Sequence, residues 1–258
     1  MTRTQESLQA AFDLDGKVAI VTGGSRGIGL VIAEALASCG ASVVISSRKP
    51  EACEAAVEQI TASGGRALAV PGNMGDLADI ERLVGSTVDA FGGIDLVVNN
   101  AANALAQAIG EITPGAWEKT QGVNERGPLF LVQAALPYLR SSPGASVLNV
   151  VSVGVFTSGR GLAMYTAAKA GLLMLTRSMA SELARDGIRV NALAPGAVDT
   201  DMMRLNSEGA IEAMRSGSVM NRLADPDEMV GPALFLLSEL SSFVTGSVLV
   251  ADGGMTYH

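Results

Sequence analysis

Histidine and cysteine are almost absent from this chain. Its 258 residues include one histidine, His258, and two cysteines, Cys39 and Cys53. A single histidine nearly excludes a zinc site or a histidine-based catalytic triad. Two cysteines without metal-ligand spacing are too few for a disulfide framework. We therefore expect no metal in this protein.

Long apolar runs are missing as well. Although 48% of the residues are hydrophobic, no apolar run reaches the roughly 18 residues that a membrane span needs. Residues 1–15 also lack the apolar core of a signal peptide. These absences predict a soluble cytoplasmic protein that does not enter a membrane.

Basic residues are fewer than acidic ones. Acidic residues outnumber basic ones by 26 to 18, which gives a formal net charge of −8. A surface of that sign does not suit nucleic acid, because the affinity for nucleic acid comes largely from neutralised phosphates. It does not suit an anionic membrane either. We expect a small molecule as the partner.

The chain also lacks a linker. No Pro-, Gly- or Ser-rich segment, charge run or internal repeat divides it. At this length one large α/β domain is preferred. We expect an N-terminal arm over residues 1–14 and a single domain over residues 15–258, with a Met-rich substrate lid near residues 199–225.

A glycine-rich turn close to the N-terminus organises the rest. Residues 18–21 are apolar and predict a buried strand, Thr22 to Gly29 form the turn, and residues 30–39 predict a helix. Glycine lets backbone N–H groups approach a phosphate, and the following helix directs its positive end at the same anion. The pattern indicates a dinucleotide site, although alone it also fits a tight turn that binds nothing.

Strands and helices continue to alternate along the chain. Such alternation implies a parallel sheet with right-handed crossovers and a ligand crevice beyond the carboxyl ends of the strands. We predict an α/β fold, a Rossmann-like doubly wound seven-stranded parallel sheet with helices on both faces. The further strands are predicted at 42–46, 67–70, 94–98, 146–151, 188–193 and 248–251.

The end of the second strand discriminates between nicotinamide cofactors. An NAD site usually has a carboxylate there, which accepts hydrogen bonds from the ribose. Here Ser47 occupies that place and Arg48 follows, while Arg26 lies inside the glycine-rich turn. Two guanidinium groups suit a 2′-phosphate, which arginine binds bidentately. These residues predict NADP(H) rather than NAD(H), unless both arginines are solvated surface charges.

Four polar residues point to a known family. Tyr165 and Lys169 are four residues apart and therefore share a helix face. Ser152 ends the preceding strand, and Asn124 lies upstream. In order and spacing they resemble the Asn-Ser-Tyr-Lys tetrad of the short-chain dehydrogenase/reductase family. The turn resembles the T-G-x-x-x-G-x-G motif of that family, with its glycines at Gly23, Gly27 and Gly29.

The resemblance covers residues 15–254 and implies further cofactor contacts. Asn73 and Met74 would lie beside the adenine, although the family usually has Asp where this chain has Asn73. Asn100 would lie near the nicotinamide ribose, in an Asn-Asn-Ala-Ala segment where Ala102 replaces the usual glycine. The implied contacts are Gly23, Ser25, Arg26, Gly27, Ile28, Gly29, Ser47, Arg48, Asn73, Met74, Asn100, Tyr165, Lys169, Pro195, Gly196, Val198 and Thr200.

The tetrad suits the reduction of a carbonyl. Reducing a ketone takes a hydride on carbon and a proton on oxygen, and Tyr165 would supply the proton. The Lys169 ammonium is expected to lower the phenol pKa, ordinarily about 10, by roughly 1–3 units. Ser152 would donate to the substrate oxygen, and Asn124 would position a water, as its family counterpart does. We expect interconversion of a ketone and a secondary alcohol.

The expected substrate is an apolar or amphipathic carbonyl compound. A small ketone, a quinone, a steroid-like alcohol and an acyl-CoA all remain open. The resemblance also implies a homotetramer or a homodimer, since family members commonly form tetramers. The candidate pocket walls are Asn103, Val153, Val155, Phe156, Leu162, Met202 and Met203.

Three alternatives stay open. The Ser25-Arg26-Gly27 turn is similar to that of 3-oxoacyl-carrier-protein reductases, which suggests a 3-oxoacyl-ACP or CoA reductase. Those relatives are basic where this chain has Asp186, and a charge of −8 disfavours docking of an acidic carrier protein. A non-catalytic binding protein is a second alternative, against which the intact tetrad argues. Enoyl reduction or epimerisation at the same site is the third.

Overall fold

Seven parallel strands form one sheet in the computed structural model, which describes residues 10–157 and 159–256. The strand order is β3-β2-β1-β4-β5-β6-β7. This arrangement confirms the predicted doubly wound sheet. The strands are β1 (Val18–Thr22), β2 (Ser42–Ser46), β3 (Arg66–Ala69), β4 (Leu96–Asn99), β5 (Ser146–Val150), β6 (Arg189–Pro195) and β7 (Val248–Ala251).

Helices follow the strands in turn. Their first residues are set by local chemistry: Asp76 accepts a hydrogen bond from the Ala78 N–H, and Thr113 accepts one from the Ala116 N–H just before a helix with proline at its first position. The helices are α1 (Gly27–Ser38), α2 (Pro50–Ala62), α3 (Leu77–Phe91), α4 (Pro114–Gln121), α5 (Gly127–Ser141), α6 (Ala163–Leu183), α7 (Asp201–Arg204), α8 (Glu208–Ser216) and α9 (Val230–Leu237).

Both faces of the sheet are covered by apolar packing. On one face, Leu36 of α1 and Leu236 of α9 belong to one core cluster. On the other face, Leu83 of α3, Leu131 of α5 and Met179 of α6 belong to a second cluster. Burial of this apolar area is the main stabilising term of the fold.

The sheet reverses its order of strands at β1. Ala19 of β1 lies opposite Val43 of β2 on one side and opposite Leu96 of β4 on the other. The chain therefore winds outward from β1 in both directions. In such sheets a ligand crevice opens beyond the carboxyl ends at this switch point, where the glycine-rich turn and the residues after β4 lie.

Several predicted boundaries differ from those of the structure. Strand β4 begins at Leu96 rather than at residue 94, and β6 extends through Pro195 rather than ending at 193. Between α4 and α5 the chain forms a π-helical turn, Gly122–Arg126, which the sequence pattern did not indicate. This turn carries Asn124.

The expected arm is only partly described, whereas all of the expected lid is described. Residues 1–9 of the arm, and Ser158, Tyr257 and His258, lie outside the described residues. Leu14 is buried, and its N–H donates to the Cys39 carbonyl. The lid region, residues 199–225, holds the short helices α7 and α8 and has no strand among its residues. Within the part of the chain that the structure describes, no helix has the length and apolar character to cross a membrane.

Candidate active site

The glycine-rich turn holds its backbone in conformations that only glycine adopts easily. Gly23 has φ +64° and Gly27 has φ +55°, both in the left-handed region. A Cβ on Gly29 would overlap the carbonyl oxygen of Gly23 and the amide of Asn100. The turn is therefore closely packed before α1, whose N-terminus is a candidate site for a phosphate.

Asn100 ties the end of β4 to this turn. Its Nδ2 donates to the carbonyl oxygens of Thr22 at 3.0 Å and Gly23 at 3.2 Å. The Thr22 hydroxyl in turn accepts from the N–H groups of Asn100 and Ala101. These bonds fix the floor of the crevice between β1 and β4.

The end of β2 carries hydroxyls rather than a carboxylate. The Oγ atoms of Ser47 and Ser25 are 2.8 Å apart, which joins the strand end to the glycine-rich turn. Arg48 is exposed. The Arg26 guanidinium pairs with Asp201 of α7 at 3.3 Å, and both side chains are exposed. Ser47 and Arg48 fit a 2′-phosphate, because they offer hydroxyl and guanidinium donors without a carboxylate at the strand end. Asp201 is an opposing carboxylate beside Arg26.

The expected adenine residues lie after β3. Met74 is buried, and Asn73 is exposed. The Asn73 Oδ1 atom accepts from the Gly75 N–H at 3.1 Å, and its backbone N–H donates to Asp79 at 2.8 Å. One side-chain hydrogen bond leaves the Asn73 amide oxygen a free lone pair.

The segment after β6 packs against the residue that follows β7 and against the glycine-rich turn. A Cβ on Gly196 would come within 2.7 Å of the Asp252 backbone, so glycine is required at this approach. Val198 is buried, and the Thr200 hydroxyl accepts from the Met203 N–H at the start of α7. The Thr200 methyl would lie 3.2 Å from a Cβ on Gly27, which places the start of the lid directly against the glycine-rich turn.

Helix α6 brings the predicted tyrosine and lysine together. The Lys169 Nζ atom lies 6.0 Å from the centre of the Tyr165 ring and donates to the Val150 carbonyl oxygen at 2.7 Å. Ser152 follows β5, and its Oγ accepts from the Gly154 N–H at 3.1 Å. Strand β5 and helix α6 thus converge on one wall of the crevice.

Burial shifts the pKa values of both groups. It lowers the pKa of Lys169 to about 8, because a buried ammonium loses its hydration. It also raises the pKa of Tyr165, with a smaller opposing effect from Ser152. The expectation that the amine would lower the phenol pKa is therefore wrong for the structure described here. Desolvation is the larger effect, and the ammonium is bonded to Val150 rather than to the phenol.

Asn124 occupies the π-helical turn and is fully buried. Its Nδ2 donates to the Asn103 carbonyl at 2.7 Å, and its Oδ1 accepts from the Asn103 N–H at 2.8 Å. The side chain therefore clamps the backbone of the loop between β4 and α4. The Asn103 side-chain nitrogen is buried and lacks a hydrogen-bond partner within the described residues.

Apolar side chains surround this wall. Val153 is buried, while Phe156 is 49% exposed and Met202 is 41% exposed. Ile109 before α4 and Leu205 after α7 are also exposed. Neither residue belongs to a motif that the sequence singles out. Val155, Leu162 and Met203 are partly buried.

Metal-binding groups are not gathered here. Over residues 10–157 and 159–256, no cluster of three or more His, Cys, Asp or Glu side chains has the geometry to hold a metal ion. The chemistry of this crevice lies in a phenol, an amine, a hydroxyl and an amide.

The fold and this crevice define an oxidoreductase of the dinucleotide-binding class, and comparisons with known proteins specify the family. A family model described as "Enoyl-(Acyl carrier protein) reductase" matches residues 23–256. The chain is 38% identical to "Dehydrogenase/reductase SDR family member 4" of Homo sapiens, over 93% of this chain and 88% of that protein. The chain belongs to the short-chain dehydrogenase/reductase family, whose members generally use NAD(P)(H) and act on small molecules.

Two further comparisons support the assignment to this family. The chain is 36% identical to the 3-oxoacyl-[acyl-carrier-protein] reductase FabG of Aquifex aeolicus, over 94% of this chain and 98% of that protein. The crystal structure of a dehydrogenase/reductase from Sinorhizobium meliloti 1021 superimposes with a TM-score of 0.92 at 34% identity. That likeness covers 97% of this chain and 99% of the other.

Proposed function

We propose that this protein is an NADP(H)-dependent oxidoreductase that interconverts a ketone and a secondary alcohol on an apolar or amphipathic substrate. The observation that carries the proposal is the convergence of Ser152, Tyr165 and Lys169 on the wall of a crevice whose floor is the glycine-rich turn. A proton donor is thereby held beside a candidate dinucleotide site.

The residues proposed to hold NADP(H) surround that turn. Its N–H groups and the N-terminus of α1 would hold the phosphates that join the two nucleotides. Ser47, Arg26 and Arg48 would hold the 2′-phosphate, because planar guanidinium groups match phosphate oxygens. When bound, the cofactor supplies the hydride that reduces the substrate carbon.

The proposed proton donor is Tyr165. Because burial raises its pKa, the phenol stays protonated at neutral pH and can give its proton to the substrate oxygen. Ser152 Oγ accepts from the Gly154 N–H and would donate its own proton to the same substrate oxygen. Lys169, with a pKa of about 8, is mostly charged at pH 7, and its ammonium would hold the ribose hydroxyls beside the nicotinamide.

A 3-oxoacyl thioester is the second candidate substrate. The similarity to FabG of Aquifex aeolicus favours it. Reduction of such a thioester needs the same proton donor and hydroxyl, so the tetrad does not separate the two candidates. The exposed apolar residues Phe156 and Met202 favour a substrate with an apolar body in either case.

We also propose an assembly and a location for this protein. Exposed apolar side chains at Met174, Phe243 and Val250 are consistent with a homotetramer or a homodimer, since large apolar residues on a surface often mark contacts between proteins. Two free thiols, at Cys39 and Cys53, fit the reducing cytoplasm.

The test is NADPH oxidation with a panel of an aryl ketone, a quinone, a steroid ketone and a 3-oxoacyl-CoA. We expect turnover with at least one of them, and Tyr165→Phe should lower kcat by about 10²–10⁴ while the Kd for NADPH stays nearly unchanged. Tyr138→Phe, on α5, is the matched control and should keep full activity.

Three outcomes would overturn the proposal. Retention of most of the rate by Tyr165→Phe would remove the phenol from the mechanism. Tight binding of NADPH without its oxidation by any ketone would instead favour a binding protein. Consumption of NADPH with enones alone would indicate enoyl reduction.

A further inference from the structure

A buried thiol lies behind the end of β2. Cys53, in the first turn of α2, is fully buried. Its Sγ atom lies 3.3 Å from the Ser47 hydroxyl and 3.6 Å from the Ser47 carbonyl oxygen. Ser47, at the position expected to discriminate between the two cofactors, is therefore in contact with the Cys53 thiol.

The contacts form a chain of three side chains. Ser47 Oγ lies between Cys53 Sγ at 3.3 Å and Ser25 Oγ at 2.8 Å. The chain joins α2, the end of β2 and the glycine-rich turn. It fixes one rotamer of Ser47, since the hydroxyl has a partner on each side.

We propose that Cys53 is a positioning residue that sets the preference for NADPH over NADH by orienting the Ser47 hydroxyl toward the 2′-phosphate. The inference rests on the proposed use of NADP(H). Cys53 does not touch the phosphate itself and acts through Ser47.

Sulfur suits this role because it is a weak partner. A thiol is a weak donor and a weak acceptor, so it holds Ser47 in place without competing strongly for the hydroxyl proton. That proton stays available for a phosphate oxygen, whose charge makes it a much stronger acceptor. Alanine at position 53 would remove one of the two side-chain partners that orient the Ser47 hydroxyl and leave Ser25 as the other.

The experiment measures binding without substrate, by calorimetry on the full chain, with NADPH and NADH as titrants. The two ligands differ only by the 2′-phosphate, so their Kd ratio isolates that group. Cys53→Ala should weaken NADPH binding by about threefold to tenfold, the value of one hydrogen bond, and leave NADH binding unchanged. Cys53→Ser, which keeps a polar partner, should stay within about twofold of wild type.

Cys39→Ala is the matched control, because Cys39 is the other free thiol and lies at the end of α1. It should leave both Kd values unchanged. An unchanged Kd ratio in Cys53→Ala would overturn the inference, as would equal weakening of NADPH and NADH. A wild-type protein that binds NADPH no better than NADH would instead overturn the proposed cofactor.

Discussion

Burial of the Lys169 ammonium lowers the free energy of unfolding of this protein. Its side chain is 1% exposed, and the Val150 carbonyl is its hydrogen-bond acceptor. A buried ammonium with one neutral partner is poorly compensated for its lost hydration. The pKa of about 8, well below the ordinary 10.5, expresses that cost.

The pKa of Lys169 predicts how stability depends on pH. Between pH 8 and 10.5 the unfolded chain binds more protons than the folded one, so stability should rise with pH across that window. At pH 7 the cost is fully present. Lys169→Met should therefore raise the free energy of unfolding at pH 7 by about 1–3 kcal/mol and abolish turnover.

Denaturant unfolding at pH 7 and pH 9.5 checks this. The exposed Lys119→Met is the control and should change stability little at either pH. Measurements should stay below pH 10, because the raised pKa of Tyr165 makes stability fall above it. A Lys169→Met protein less stable than wild type at pH 7 would contradict the argument.

A second prediction at the scale of residues concerns Gly29. Its missing Cβ is what lets the glycine-rich turn pack against the start of α1. Gly29→Ala should destabilise the protein by about 1–3 kcal/mol and weaken NADPH binding, as thermal unfolding and calorimetry would show. Gly85→Ala, in the middle of α3 with open space around it, should instead stabilise by up to about 1 kcal/mol. Similar effects of both changes would contradict the steric reason.

At the scale of elements, the Arg26–Asp201 ion pair joins α7, in the expected lid, to the glycine-rich turn. An exposed pair adds little stability, but it places a carboxylate beside a proposed phosphate ligand. Asp201→Asn should therefore strengthen NADPH binding by about twofold to threefold at low salt and change NADH binding little. Calorimetry at low and high salt would show this, and weaker NADPH binding in Asp201→Asn would contradict it.

Strands with a uniform apolar pattern were predicted best. The bounds of β2, Ser42–Ser46, and of β7, Val248–Ala251, agree with the sequence pattern, because a polar residue follows each strand. The end of β6 was missed, since proline normally weakens a strand. Pro195 still pairs with Ala251 at the end of the ladder, where its missing N–H costs little.

The π-helical turn at Gly122–Arg126 could not be predicted. No residue type specifies an i→i+5 hydrogen bond, and such turns form where packing demands an extra residue in a helix. Here the demand comes from the loop after β4, which Asn124 clamps at the Asn103 backbone. The contacts of Lys169 with Val150 and of Cys53 with Ser47 are likewise tertiary, and the spacing of these residues in the sequence does not predict them.

At the scale of the whole molecule, net charge predicts a substrate preference. With a formal charge of −8, the protein should repel an acidic carrier protein. The KM for an acetoacetyl carrier protein should rise as ionic strength falls. The KM for the uncharged N-acetylcysteamine thioester should stay constant. A lower KM for the carrier-bound substrate at low salt would contradict the argument and favour a fatty-acid reductase.

The order of strands also governs when the molecule can fold. Ala19 of β1 pairs with Leu96 of β4, so the centre of the sheet joins segments far apart in sequence, and such contacts form slowly. A nascent chain that ends before β4 holds β1 with one edge unpaired. Until β4 leaves the ribosome, that edge can pair with any other exposed strand.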